Sequence, residues 1–136
     1  MGCLDTTVFL DLAGRGGSSV RERARHVIRR IVADGEGLTT TRLNVAELYV
    51  GVARSARPQR EAERIQRWLA DVVILDFDDP AAQVFGGVVG ELQSRGTPIG
   101  DLDALIASIA IRHDQTVITR NVRHFQAVPG LKVAGY

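Results

Sequence analysis

Three apolar stretches of the chain each carry one carboxylate: Leu4-Asp5-Thr6-Thr7-Val8-Phe9-Leu10, Val45-Ala46-Glu47-Leu48-Tyr49 and Leu102-Asp103-Ala104-Leu105-Ile106-Ala107. Ionised acids are almost never fully buried unless they are paired or bound to a cation, so three in such surroundings point to one shared polar site. A hard divalent cation, Mg²⁺ or Mn²⁺, is the natural occupant. Such ions prefer oxygen ligands and keep open positions for water or substrate.

Each acid also has a local explanation. Glu47 stands three residues after Asn44, the spacing of a capping box. Asp101 is placed as a helix N-cap, and Asp103, just inside the same helix, gains ~0.3 to 1 kcal/mol from the macrodipole without any catalytic role. Asp5 is the least explained. Within or at the end of a strand it has poor β propensity, and no helix terminus needs it.

The elements that must position these acids alternate between strand and helix, which predicts an α/β fold: a three-layer αβα sandwich around a mostly parallel sheet of four to five strands. The first strand is read over Gly2 to Leu10. A turn at Gly14 to Ser19 leads to a helix through Ala33, with Ser19 and Glu22 as a capping box. Strands are expected at Gly37 to Thr41, Val72 to Leu75, Thr116 to Thr119 and Leu131 to Val133, with Val72 to Leu75 central or nearly so because its apolar run is unbroken. The helix opening at Asn44 buries Val45, Leu48, Tyr49 and Val52. Further helices are striped by Ala62, Ile65, Trp68 and Leu69, by Val84, Phe85, Val88, Val89 and Leu92 after an N-cap at Asp79, and by Leu105, Ile106 and Ile109. In such a sheet the ligand crevice lies beyond the carboxyl ends of the strands, where all three acidic segments belong.

Bulk properties narrow the classes. At 136 residues the chain is read as one domain, 1–136, able to bury roughly two thirds of its surface without staples. No apolar run approaches the ~20 residues of a membrane span. The opening residues lack the charged start and unbroken apolar run of a leader, and Cys3 is the lone cysteine, so the cytoplasm is the expected compartment. A net charge of +1 does not by itself imply nucleic acid, but all but one of the 17 basic residues are Arg, the side chain best suited to phosphate. Arg15, Arg42, Arg120 and Arg123 lie in segments near the expected site rim. His26, His113 and His124 are scattered and read as structural or surface residues, which leaves no nucleophile–base pair. A lone Cys3 without a thiolate partner and the lack of a His-Glu-x-x-His string argue against zinc, and Gly14 to Ser19 lacks the Lys and Ser/Thr ending of a P-loop.

Four strings in order make the chain resemble a PIN domain, and more closely the VapC-type ribonuclease toxins of prokaryotic toxin–antitoxin pairs: Leu-Asp-Thr-Thr at 4–7, Val-Ala-Glu-Leu-Tyr-Val-Gly at 45–51, Pro-Ile-Gly-Asp-Leu-Asp-Ala-Leu-Ile-Ala at 98–107 and Thr-Arg-Asn-Val-Arg-His-Phe at 119–125. The closing Val-Pro-Gly-Leu-Lys-Val at 128–133 is also typical. The resemblance implies a Mg²⁺- or Mn²⁺-dependent endoribonuclease. Asp5 and Asp103 are its main metal ligands, and Glu47 is a ligand or the orienter of the attacking water. Asn121 matches a fourth polar position, Thr6 the small hydroxyl residue after the first acid, and Asp101 either supplements the third acid or serves only as an N-cap. A cognate antitoxin and a homodimer are implied as partners. The chain departs from many relatives at His124, where they carry an acid, and at Asn121, which brings no charge. Two alternatives remain compatible with the residues: a catalytically weak or inert PIN-like binding module, and an aspartyl-phosphate phosphotransferase using Asp5.

Overall fold

The computed structural model describes all residues 1–136. Five strands, β1 (Gly2–Leu4), β2 (Leu38–Thr41), β3 (Val73–Leu75), β4 (Thr116–Ile118) and β5 (Lys132–Ala134), pair in parallel in the order β3-β2-β1-β4-β5. The crossovers carry seven helices: α1 (Thr6–Leu12), α2 (Ser18–Ala33), α3 (Arg42–Arg54), α4 (Pro58–Leu69), α5 (Asp79–Ser94), α6 (Asp101–Arg112) and α7 (Val122–Phe125). The expected sandwich is present, with β1 at its centre.

Alternation along β4 splits the core. Val117 joins Val88, Leu92, Ile106, Ala107 and Phe125 under α5 and α6, whereas Ile118 turns to the other face with Leu4, Val8, Phe9, Leu48 and Ile65. The small residues of α6, from Ala104 to Ala110, let it approach the sheet closely, and six of its twelve residues are buried. β2 is polar yet buried. Its hydroxyls are satisfied by neighbouring strands and loops: Thr40 Oγ1 donates to Leu4 O at 2.6 Å, and Thr39 Oγ1 to Gly2 O at 3.2 Å.

Several local expectations are corrected. The first strand ends at Leu4, and Thr6 to Leu12 is helical, with Asp5 at the N-cap position. Tertiary packing of Val8 and Phe9 under the sheet overrides the β preference of a β-branched run. Ser19 and Glu22 form no capping box. The N-cap of α2 is Gly17, and Glu22 instead contacts Arg25 and Arg29 along the helix. The box of α3 is one turn earlier than expected: Thr41 is the N-cap and Asn44 its N3 partner, which releases Glu47 from any capping duty. Asp78, not Asp79, caps α5 by accepting from Ala81 N at 3.0 Å. Gly100, not Asp101, caps α6. The unbroken apolar run gives an edge strand, β3, with Val73 60% exposed; valine favours extended backbone without requiring cover. Tyr49, expected inside, is exposed.

Candidate functional site

The sheet order reverses at β1, whose neighbours β2 and β4 leave their carboxyl ends on either side of it. Such a switch point opens a crevice between the outgoing loops. Asp5 follows β1, Thr41 ends β2 and Thr119 follows β4, so these three residues meet at the crevice floor.

Asp5 shows what the sequence does there. It occupies an N-cap position with extended backbone, φ −75° and ψ 161°, yet its carboxylate caps no backbone N–H of the helix it opens. The ~1 kcal/mol a capping carboxylate usually supplies is forgone. Instead Oδ1 accepts from Asn44 Nδ2 at 3.0 Å, and Oδ2 from Thr119 Oγ1 at 2.8 Å and Thr7 Oγ1 at 3.3 Å. These donors come from α3, the loop after β4 and α1. They hold a carboxylate that is only 6% exposed in one orientation.

Asn44 is the hub of this floor. Fully buried, it accepts from Thr41 Oγ1 at 2.7 Å and donates to both Asp5 and Thr6 Oγ1, the latter at 3.1 Å. Thr6 passes the link on, its hydroxyl donating to Glu47 Oε1 at 2.8 Å. Glu47 lies one turn after Asn44 on α3, so the helix period brings it to the same crevice. Asp103, in the first turn of α6, completes the group. Its Oδ2 lies 3.3 Å from His124 Nδ1.

Electrostatics tie the three acids together. Partial burial pushes the Glu47 carboxyl above the ordinary carboxylate range, and the negative charges of Asp5 and Asp103 push it further, against the Thr6 hydrogen bond. Asp103 is likewise raised, first by burial and also by Asp5, with His124 opposing. The charge of Asp5 acts on both, hydrogen bonds through Asn44 and Thr6 link Asp5 to Glu47, and α6, which carries Asp103, packs against α3. As placed, however, no three His, Cys, Asp or Glu side chains converge to metal-ligand distance; each acid rests on its own donor. The donor set itself is all carboxylate, and Glu47 Oε2 and Asp103 Oδ1 carry no protein hydrogen bond. Oxygen-only donors under mutual repulsion fit a hard divalent cation.

The remaining site residues divide. Thr6 is brought into the cluster, whereas Asp101 and Asn121 are both exposed, with no side-chain hydrogen bond to it. Asn121 is fixed through its backbone, its N–H donating to Thr119 Oγ1 at 3.0 Å. Of the four rim arginines, Arg15 lines a cavity of about 330 Å³ that starts at Thr6 and Glu47 and is walled by Leu48, Ile65 and Trp68. Arg42 is committed to Asp76 through a two-bond contact, and Arg120 to the buried Asp11 at 2.9 Å. Arg123 makes no ion pair. Sequence reasoning missed Asn44 as an organiser, Thr7 and Thr119 as donors, and His124 as a neighbour of Asp103. Only the paired hydroxyls of Leu-Asp-Thr-Thr hinted at any of these. The Cys3 thiol, pushed up to about 12 by burial, offers no nucleophile.

The PIN domain family model matches residues 2–131. A tRNA(fMet)-specific endonuclease VapC from Shigella flexneri is 30% identical over 129 residues, covering 95% of this chain and 92% of that protein. The protein of the same name from Salmonella typhimurium is 27% identical over 115 residues, 85% of this chain and 87% of its own length. In three dimensions the crystal structure of VapBC2 from Rickettsia felis bound to a promoter DNA fragment matches with a TM-score of 0.86 at 24% identity, covering 99% of this chain and 98% of that one. The chain belongs to the PIN domain family, within its VapC group.

Proposed function

We propose that the protein is a divalent-metal-dependent endoribonuclease, the toxin of a toxin–antitoxin pair, and that residues 1–136 act as one nuclease domain. The observation that carries this reading is the hydrogen-bond chain Asp5–Asn44–Thr6–Glu47 at the switch-point crevice, with Asp103 in the first turn of α6, which packs against α3. Its relatives named as VapC ribonucleases and endonucleases support the substrate class.

In this reading Asp5, Glu47 and Asp103 hold Mg²⁺ or Mn²⁺, which supplies Lewis-acid stabilisation of a phosphodiester and a more acidic water. The chain's own residues do the positioning. Asn44, Thr7 and Thr119 fix Asp5, so the ligand does not reorganise during turnover. Glu47, anchored through Oε1, keeps Oε2 for a ligand or for orienting the attacking water. His124 beside Asp103 offers a donor for substrate phosphate oxygens. Asn121 and Asp101 remain as outer residues at the rim. A cognate antitoxin that occludes the crevice, a homodimer and a cytoplasmic location complete the proposal; no helix is long and apolar enough to cross a membrane.

The test is cleavage of structured RNA by purified protein with Mn²⁺. Activity falls by at least about 100-fold in Asp5→Asn and Asp103→Ala and vanishes with EDTA, as expected when a group acting on the transition state is removed. Cleavage that persists in EDTA contradicts the reading.

A further inference from the structure

The proposed cleavage crevice is acidic and repels phosphate, so an RNA that is to be cut there must gain its affinity elsewhere. With a net charge of only +1, that attraction has to be concentrated locally. One place on the surface does this. Between α2 and α4 lies an open cavity of about 440 Å³ whose charged lining consists of Arg21, Arg25, Arg64 and Arg67, with no acid among its walls.

The spacing is built into the helices. Arg21 and Arg25 stand four residues apart on α2, and Arg64 and Arg67 three apart on α4, so each pair shares a helix face. Arg25 and Arg64 each have an acidic neighbour, Glu22 at 3.8 Å and Glu61 at 3.3 Å, while Arg21 and Arg67 form no ion pair. Facing like charges disfavour folding, and in the free protein Arg21 and Arg67 have no acid to offset that repulsion. The cavity also adjoins the crevice. It shares Ala13 and Trp68 with the cavity that begins at Glu47, and the Arg21 guanidinium comes within 4.0 Å of the Cβ position of Gly14, next to Arg15.

We infer that Arg21, Arg25, Arg64 and Arg67 form a track for the phosphate backbone of single-stranded RNA flanking the scissile bond. This rests on the ribonuclease reading. Guanidinium forks match phosphate oxygens, and the track's continuity with the carboxylates through Arg15 and Trp68 favours a polymer that also enters the crevice over an acidic protein segment. Binding here is independent of sequence, so it lengthens the footprint without choosing the cut site.

The experiment measures anisotropy of a labelled single-stranded RNA of about 20 nucleotides in EDTA, so that nothing is cleaved, with wild type, Arg21→Ala/Arg67→Ala and Arg21→Lys/Arg67→Lys. Both positions are exposed, and thermal melts check that the variants fold. The Ala pair is expected to bind about 10-fold more weakly at low salt, with a dependence of log K on log salt shallower by about 1.4, two phosphates at about 0.7 each; the Lys pair retains the slope. Equal affinity and slope in the wild type and the Ala pair overturn the track. So does displacement of RNA from the wild type by poly-glutamate at equal charge concentration, which marks the patch as a site for acidic protein. Wild-type cleavage with Mn²⁺, measured separately, tests the ribonuclease reading itself.

Discussion

Asn44 illustrates how much of the site depends on one uncharged residue. Its amide holds Asp5 and Thr6 while its carbonyl completes the cap of α3, so Asn44→Ala strands buried partners on both sides. We expect a loss of about 2 to 4 kcal/mol in urea unfolding and a drop in cleavage at saturating Mn²⁺. Asp103→Asn should act in the opposite direction on stability. Glu47 and Asp103 have pKa values raised above those of the unfolded chain, chiefly by burial. Their contribution to stability is therefore full below the ordinary carboxylate range and is lost as pH rises through the raised values. Metal-free Asp103→Asn is expected to be more stable than wild type at about pH 7.5, with the difference closing towards about pH 4, in parallel urea titrations. Saturating Mn²⁺ reverses the ranking at neutral pH, because the ion stabilises wild type by mass action and the variant less.

At the scale of elements, Gly16 joins α1 to α2 over a buried charge. A Cβ there would lie 2.7 Å from Asp11 Oδ1, a carboxylate oxygen with no partner, and 3.2 Å from Val20. Its other oxygen is held by Tyr136 at 2.6 Å and by Arg120, which follows the Asp5 donor Thr119 directly in sequence. Gly16→Ala is expected to cost about 1 to 3 kcal/mol by overpacking, read as a lower midpoint in thermal unfolding. Element order and helix faces were legible in the sequence because periodicity reports burial directly: Ile65, Val88, Leu92 and Ile106 all lie in the core. Boundaries were less so. The run Thr6-Thr7-Val8-Phe9 favours a strand locally, and only packing of Val8 and Phe9 beneath β1 makes it a helix. Likewise Thr41 and Asn44 are both good caps, and which one serves depends on Asn44 being drawn inward to Asp5.

For the whole molecule, the acids of the candidate site were legible because a carboxylate in an apolar stretch is costly wherever it falls. The partners that orient them were not. Thr119 is 114 residues from Asp5, and His124 meets Asp103 through the β4–α7 turn, so no local spacing links them. The parallel order β3-β2-β1-β4-β5 performs that assembly by bringing the ends of β2, β1 and β4 side by side. In the proposed reading, an ion held by Asp5, Glu47 and Asp103 would also staple β1, α3 and α6 together. Adding EDTA to the Mn²⁺-loaded protein is expected to lower its thermal midpoint by several degrees, with no such change in Asp5→Ala.

The most direct measurement is an anomalous difference map from crystals soaked in Mn²⁺. We predict a peak within coordination distance of Asp5 and Asp103 and within one water of Glu47, absent in Asp103→Ala. Manganese located elsewhere, or a crevice empty at saturating Mn²⁺, contradicts a single metal site built from these three carboxylates.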